Sequence, residues 1–325
     1  MRVIVTGGGG YIGSVAVERL MEAGHAVTVL DNFARGHRAS VHPSAKIVEC
    51  DLRDGAATSK AVQGAEADAV MHFAALTLVP ESVREPGAYF ETNTGGGLHL
   101  LEAARAAGIT RFVFSSTASV YGEPESLPIR EDSPKRPINP YGQSKWMTEQ
   151  MLSTYADRYD INHAIFRYFN VAGATELRGE DHDPETHLIP VALKTLLDEQ
   201  GQFTIFGADF DTEDGTAVRD YVHVIDLVDA HIAAIEQLDQ PLGAMNLGTD
   251  SGFSVQQIVD AVERVTGQSL PITHGPRREG DPAALIADSS KARETLGWSP
   301  GISTLDQMIG SAWVWFRTNP RGYVD

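Results

Sequence analysis

The first 31 residues confine the chain to a narrow set of folds, because they read as strand, glycine-rich turn, helix and second strand, in that order. The apolar start Met-Arg-Val-Ile-Val runs into VTGGGGYIGS (residues 5–14). Ile12, Ala16 and Leu20 then recur at helical spacing, and AVTVLD ends on Asp31, eighteen residues beyond Gly13. Glycines between a strand and a helix let the backbone turn tightly and approach a pyrophosphate, which sits on the positive N-terminus of the helix. A glycine pattern alone is weak; in this order, closed by an acid, it reads as a dinucleotide-binding βαβ unit. An acid at position 31 hydrogen-bonds the hydroxyls of an adenosine ribose and repels a 2′-phosphate, which favours NAD. Arg35 and Arg38 keep the 2′-phosphorylated cofactor open. Two registers fit the run: Gly8, Gly10, Gly13 or Gly7, Gly10, Gly13.

Further apolar runs, KIVECD, DAVMHFAA, RFVFSST and HAIFRYFN, alternate with helical stretches such as LHLLEAARAAG. Short continuous apolar strands separated by helices belong to a parallel sheet covered on both faces, the doubly wound α/β class. After Asn170 the texture changes: AGATELRGEDHDPETH is polar and loop-like, and shorter elements follow. The expected organisation is a first domain over residues 1–170 and a smaller lobe over 171–325. The stretch 218–248, with VRDYVHV and AMNLG at its ends, is expected to return to the first domain.

A formal net charge of −18 opposes binding to nucleic acid or to an anionic membrane, both polyanions. The single cysteine, Cys50, reads as a small core residue; without a second one no intrachain disulfide forms, which suits a reducing compartment. No apolar run approaches about 18 residues and no basic-then-apolar leader is visible, so the expectation is a soluble, cytoplasmic protein.

A bound nicotinamide needs an alcohol-bearing substrate and a base. YGQSK places Tyr141 and Lys145 one helical turn apart on one face. A lysine ammonium beside a phenol lowers its pKa, as does a positive nicotinamide ring, and the phenolate can then act as base near neutral pH. Nine tyrosines and six lysines in 325 residues predict roughly 0.17 such spacings by chance. This one follows the strand RFVFSST, whose end carries Ser115, Ser116 and Thr117. In the second half, Arg219 and Arg278 are cations able to clamp a diphosphate in an otherwise acidic protein.

Together, TGGGGYIGS, FSSTASVYGE, NPYGQSK, RYFNVAGA, EDGTAVRDYVHVIDL and RREGDPAALIAD resemble the extended short-chain dehydrogenase/reductase family over nearly the whole length. Within that family the chain is most similar to the nucleotide-sugar 4-epimerases. The resemblance implies a Rossmann domain for NAD and a smaller α/β lobe for a UDP-hexose. It also implies inversion at C4 by transient oxidation to a 4-keto sugar, rotation and re-reduction. It selects Gly7, Gly10 and Gly13 as the register. Tyr11, Ile12, Asp31, Asn32, Asp51, Leu52, Phe73, Ala74, Ala75, Asn93 and Phe169 would line the NAD site, with Thr117, Tyr141 and Lys145. These last three would be the catalytic hydroxyl, the base and its activator. Asn170, His187, Leu188, Thr204, Ile205, Phe206, Arg219, Arg278, Asp281 and Leu285 would hold the UDP-sugar alongside Thr117 and Tyr141. Tightly held, unconsumed NAD is implied, as is a homodimer through the helices bearing Tyr141 and LHLLEAARAA.

Four positions depart from the best-known members. Thr117 stands where serine is usual, Thr77 where a phosphate-binding lysine can occur, and His187 where asparagine does. Leu285 stands where some members have tyrosine, which implies more room near C2 of the hexose and tolerance of N-acetyl sugars. Related 4,6-dehydratases carry Asp-Glu, and decarboxylating relatives a glutamate, where this chain has Ala118-Ser119. A lyase is therefore the enzymatic alternative, and a non-catalytic NAD sensor the alternative of another class. GEDHDPETH (179–187) has two histidines and several carboxylates; its irregular spacing reads as a solvated loop, and no metal is expected.

Overall fold

The computed structural model describes residues 1–198, 200–278 and 281–324. Through residue 168 the strands are β1 (Arg2–Thr6), β2 (Ala26–Asp31), β3 (Lys46–Glu49), β4 (Ala69–His72), β5 (Arg111–Ser115) and β6 (Asn162–Tyr168). Among them run α1 (Tyr11–Glu22), α2 (Gly55–Ala65), α3 (Val79–Arg84), α4 (Pro86–Tyr89), α5 (Gly96–Ala106) and α6 (Pro140–Tyr159). Beyond lie β7 (Asn170–Ala172), β8 (Phe203–Phe206), β9 (Val218–His223), β10 (Gly243–Leu247), β11 (Gly252–Ser254), β12 (Ile272–Gly275) and β13 (Ala284–Leu285). The later helices are α7 (Leu188–Leu197), α8 (Val224–Glu236), α9 (Val255–Thr266), α10 (Ser290–Leu296) and α11 (Leu305–Thr318).

Seven strands form one parallel sheet in the order β10-β6-β5-β4-β1-β2-β3. Strand alternation explains its two covered faces. Val3 and Val5 point into a core shared with Val17, Leu20 and Leu227, while Ile4 points oppositely, to Leu100 and Leu152. The chain order reverses between β1 and β4, which opens a crevice at their carboxyl ends.

The second lobe is built on β9, antiparallel to β11 and parallel to β7 and β13, with β8–β12 apart. Its own core gathers Leu193, Ile258, Val262, Ile309 and Phe316 from α7, α9 and α11. The stretch 218–248 is divided between the lobes. α8 and β10 join the large sheet, but Val218–His223 has its partners in the second, correcting the expectation that all of it returns. Asp226 fastens the returning chain: its carboxylate accepts the Gly301 and Ile302 N–H groups at 3.1 and 3.0 Å. No described helix is long and apolar enough to cross a membrane, and Cys50 is a buried free thiol.

Candidate active site

The turn between β1 and α1 is packed so closely that side chains have no place in it. Gly7 has φ +73°, and a Cβ there would lie 2.6 Å from the Ala74 nitrogen. At Gly13 a Cβ would lie 2.0 Å from the Gly7 carbonyl oxygen. Glycine relieves both constraints. Asp31, at the end of β2, accepts hydrogen bonds from the Gly9 and Phe33 amides, each at 2.8 Å. Burial pushes its carboxyl pKa up against those bonds. The first turn of α1 carries no acid, so its positive end is free for an anion.

Other residues expected around NAD gather on the same edge. Asn32 donates to Asp51 at 3.1 Å, beyond β2 and β3, and the Phe73 and Ala74 amides follow β4. Buried Asn93 accepts from the Leu76 amide at 2.8 Å and donates to its carbonyl at 3.0 Å. A bare cradle, a free helix N-terminus and an acid at the second strand end together suit a dinucleotide.

Thr117 ends the extended chain after β5 and caps one 3-10 turn, accepting the Ser119 amide at 3.1 Å. α6 starts where the Asn139 side chain accepts the Gly142 amide at 2.8 Å, setting Tyr141 in the first turn. Lys145, one turn on and 2% exposed, donates to the Ser115 carbonyl at 2.8 Å. Burial pulls its ammonium down to about 7, against the pull of Glu149. Burial also raises the Tyr141 phenol, and the group lowering it is Thr117. Lys145 was expected to do so; in the protein alone it is turned to the strand-end carbonyl instead.

Sequence reasoning missed what supports these residues. Ser116 donates to Glu149, which pairs with Arg167 at 2.6 Å, with both charged side chains nearly fully buried. Arg167 also donates to the Tyr121 hydroxyl at 3.0 Å. Removing one partner of such a buried pair costs roughly 3–5 kcal/mol. Two signals were available: Glu149 lies four residues after Lys145, and Arg167 interrupts an apolar strand. Tyr89 meets the Tyr141 ring edge-on, centroids 6.4 Å apart.

In the second lobe, Arg219 pairs with Asp281 and neighbours Leu285 in the β9–β13 register. Arg278 lies over the Phe206 ring, 4.3 Å from its centroid. Asn170 donates to the Asp220 carbonyl at 2.9 Å, and the Thr204 hydroxyl meets that of Thr273. Ile205 is in the second core, 1% exposed and paired in the β8–β12 ladder, so the expectation that it lines the UDP-sugar site is not met by its side chain. Leu285 is half-buried and, like Phe169, packs on the apolar group of Ala118, Val120, Tyr121 and Ile129. His187 and Leu188 begin α7.

The segment 179–187 is only in part the solvated loop expected: Asp183, Pro184 and Thr186 are exposed, but its acidic start is not. Glu180 is buried, and one donor atom each from Glu180, His182, Glu185 and His187 lies within 4.8 Å of the others. Their contacts are those of hydrogen-bonded ion pairs: Glu180 reaches Nδ1 of His187 and of His182, and Glu185 reaches Nδ1 of His187. The ring contact of His182 with Tyr11 brings the cluster to the glycine turn, which explains its burial.

A glycine cradle at the switch point of a doubly wound sheet, with a hydroxyl–Tyr–Lys set at the next strand end, defines a dinucleotide-dependent enzyme acting on an alcohol. Comparison with known proteins agrees. The profile of the NAD dependent epimerase/dehydratase family matches residues 3–248. The chain is 49% identical over 330 residues to the UDP-glucose 4-epimerase of Lactobacillus helveticus, spanning all of both proteins. It is similar to the Brucella ovis UDP-glucose 4-epimerase solved with NAD, with TM-score 0.93 and 42% identity over 97% of this chain and 98% of that one. The Bifidobacterium longum enzyme solved with NAD+ and UDP gives TM-score 0.93 and 37% identity over 99% of each chain. The chain belongs to the NAD dependent epimerase/dehydratase family.

Proposed function

We propose that the chain is an NAD-dependent isomerase that interconverts UDP-glucose and UDP-galactose by inversion at C4. NAD, when bound, supplies the acceptor and then the donor of the C4 hydride. Tyr141 takes the C4 hydroxyl proton and later returns it, and Thr117 orients the same oxygen by hydrogen bonding. Lys145 holds the Tyr141 turn against the strand end. Arg219 and Arg278 receive the substrate's diphosphate, with Asp281 and Phe206 as their partners in its absence.

The turn after Thr117 is the observation that carries epimerisation over a lyase reaction. Ala118 faces an apolar cluster and the Ser119 amide is held by Thr117, so no ionisable group there can protonate a leaving C6 hydroxyl or take a C5 proton. The 4-keto sugar, turned about its link to UDP, is re-reduced on its other face, and the product keeps the substrate's mass. The test is incubation of purified protein with UDP-galactose and no added NAD. UDP-glucose is the expected product; one lighter by water would refute the reading.

Several finer points belong to the same proposal. NAD is retained through turnover, because the cofactor must be returned to its starting state each cycle. Leu285, flanking Arg219, is the position that sets room at the hexose and admits N-acetyl sugars. The protein works as a homodimer through α5 and α6. The buried free Cys50 supports a cytoplasmic location.

A further inference from the structure

Hydrogen bonding alone does not satisfy the side chains gathered before α7. Glu180 Oε1 lies 2.7 Å from Nδ1 of His187 and 3.0 Å from Nδ1 of His182, and Glu185 Oε1 lies 2.9 Å from Nδ1 of His187. Ionised carboxylates only accept, so two ring protons serve three contacts, and the one on His187 is split between two glutamates. Glu185 Oε1 already accepts the Thr186 and His187 amides at 2.8 and 2.9 Å, while its Oε2 is buried with no hydrogen-bond partner among the described residues. The glutamate side chains are 5% and 8% exposed, and among the described residues neither pairs with a lysine or an arginine. Two desolvated carboxylates are thus left with imidazoles as their whole counter-charge, and one buried oxygen is left over.

A divalent cation resolves each point. One donor atom each from Glu180, His182, Glu185 and His187 lies within 4.8 Å of the other three. Donors about 2.0–2.2 Å from a tetrahedral zinc ion sit roughly 3.3–3.6 Å apart, between the short contacts here and that limit. Both rings then bind as neutral ligands, and the two carboxylates balance the charge of the ion. Two imidazoles with two carboxylates suit zinc or a neighbouring transition dication, whereas magnesium and calcium take oxygen shells. The irregular spacing along the sequence is no obstacle, because a loop gathers the donors and not one face of a helix. His182 meets the Tyr11 ring edge-on, centroids 6.5 Å apart, and His187 directly precedes α7. An ion held by all four fastens this segment between α1 and α7. Four protein donors leave no open position on a tetrahedral ion, so the site is structural.

We propose that Glu180, His182, Glu185 and His187 form a structural site for a transition-metal dication of the zinc type, which pins the segment before α7. The site stands apart from the epimerase reading, and no turnover enters its test.

Purified full-length chain is loaded with zinc and desalted, and metal per chain is measured for the parent, His182→Ala and Glu185→Gln. The parent should retain about one zinc ion, and each variant at least about 5-fold less. Dialysis against EDTA should lower the parent's Tm by at least about 3 °C, with recovery on adding zinc but not magnesium. Cobalt(II) in place of zinc should give the intense visible bands of a four-coordinate ion. That spectrum is read on the parent, so it decides even where a variant fails to fold. A parent that retains no zinc would overturn the proposal. Equal retention by the parent and both variants would do the same, since it means an adventitious ion only. So would a Tm indifferent to EDTA, or the pale spectrum of six-coordinate cobalt.

Discussion

At the scale of single residues, Tyr141 and Thr117 divide the work in a way that substitutions can separate. Tyr141→Phe keeps the ring against Tyr89 and removes only the proton carrier, so kcat should fall at least about 10²-fold with the fold intact. Thr117→Ser keeps both the hydroxyl and the cap of the 3-10 turn and should be mild, whereas Thr117→Val loses both. Steady-state kinetics of the three variants check the assignment; near-normal turnover in Tyr141→Phe would end it. Leu285 offers a second separation. It packs against the buried cluster that includes Ala118 of the catalytic turn, and tyrosine there adds bulk and a phenol. Leu285→Tyr should cut kcat/KM for UDP-N-acetylglucosamine about 10-fold more than for UDP-glucose, the scale at which pocket sterics discriminate. Equal losses for both sugars would make Leu285 plain core filling.

At the scale of elements, the βαβ unit depends on a turn with no spare volume. Gly13→Ala places a methyl 2.0 Å from the Gly7 carbonyl oxygen, a backbone atom that cannot swing aside, so the turn must open. Bound NAD(H) per purified chain should fall below about half of the parent's, because the amides that meet the pyrophosphate move with the turn. Gly64 is the contrast: it lies in α2 with nothing within 4 Å of a Cβ. Gly64→Ala should leave NAD content unchanged and gain up to about 1 kcal/mol from helix propensity. Denatured, desalted samples measured for NAD(H) compare the two; equal retention would mean that the turn does not hold the cofactor.

At the scale of the whole molecule, α5 and α6 leave Leu98, Met147 and Tyr159 exposed on their outer surfaces, 38%, 36% and 43% respectively. Large apolar groups on two neighbouring helices suit a four-helix contact between two copies. The expected mass in solution at micromolar concentration is that of a dimer; a monomer would contradict it. Stability should also depend on pH through three buried histidines. Burial pulls His72 down to about 3 and His223 and His231 to about 4, so each is neutral in the folded chain. Their contribution is complete above the unfolded value near 6.5 and is lost as pH falls toward 4. Tm should drop at least about 3 °C between pH 6.5 and pH 4.5, above the range where the lowered carboxylates titrate. A flat Tm over that interval would show that the histidines are solvated.

By itself the sequence determined the doubly wound class, the glycine turn and the Tyr141–Lys145 pair. These are set by local period and spacing: strand alternation, helical recurrence and one helical turn between two side chains. Burial and partners joined across distant segments belonged to the tertiary structure. It divided 218–248 between two sheets, because β9 pairs with β7 and β13 rather than with β10. It turned Lys145 onto the Ser115 carbonyl and put Glu149 against Arg167, a contact that α6 and β6 make only once packed. It withdrew the Ile205 side chain into a core, because alternation along β8 acquires an inside only when α7, α9 and α11 cover it. The polar stretch 179–187 shows the limit most directly. Its irregular spacing made it look solvated, yet Glu180 is buried, His182 meets the Tyr11 ring, and Glu180 and Glu185 pair with the segment's own histidines. A charge's solvation depends on what the rest of the chain places beside it, and no local pattern records that.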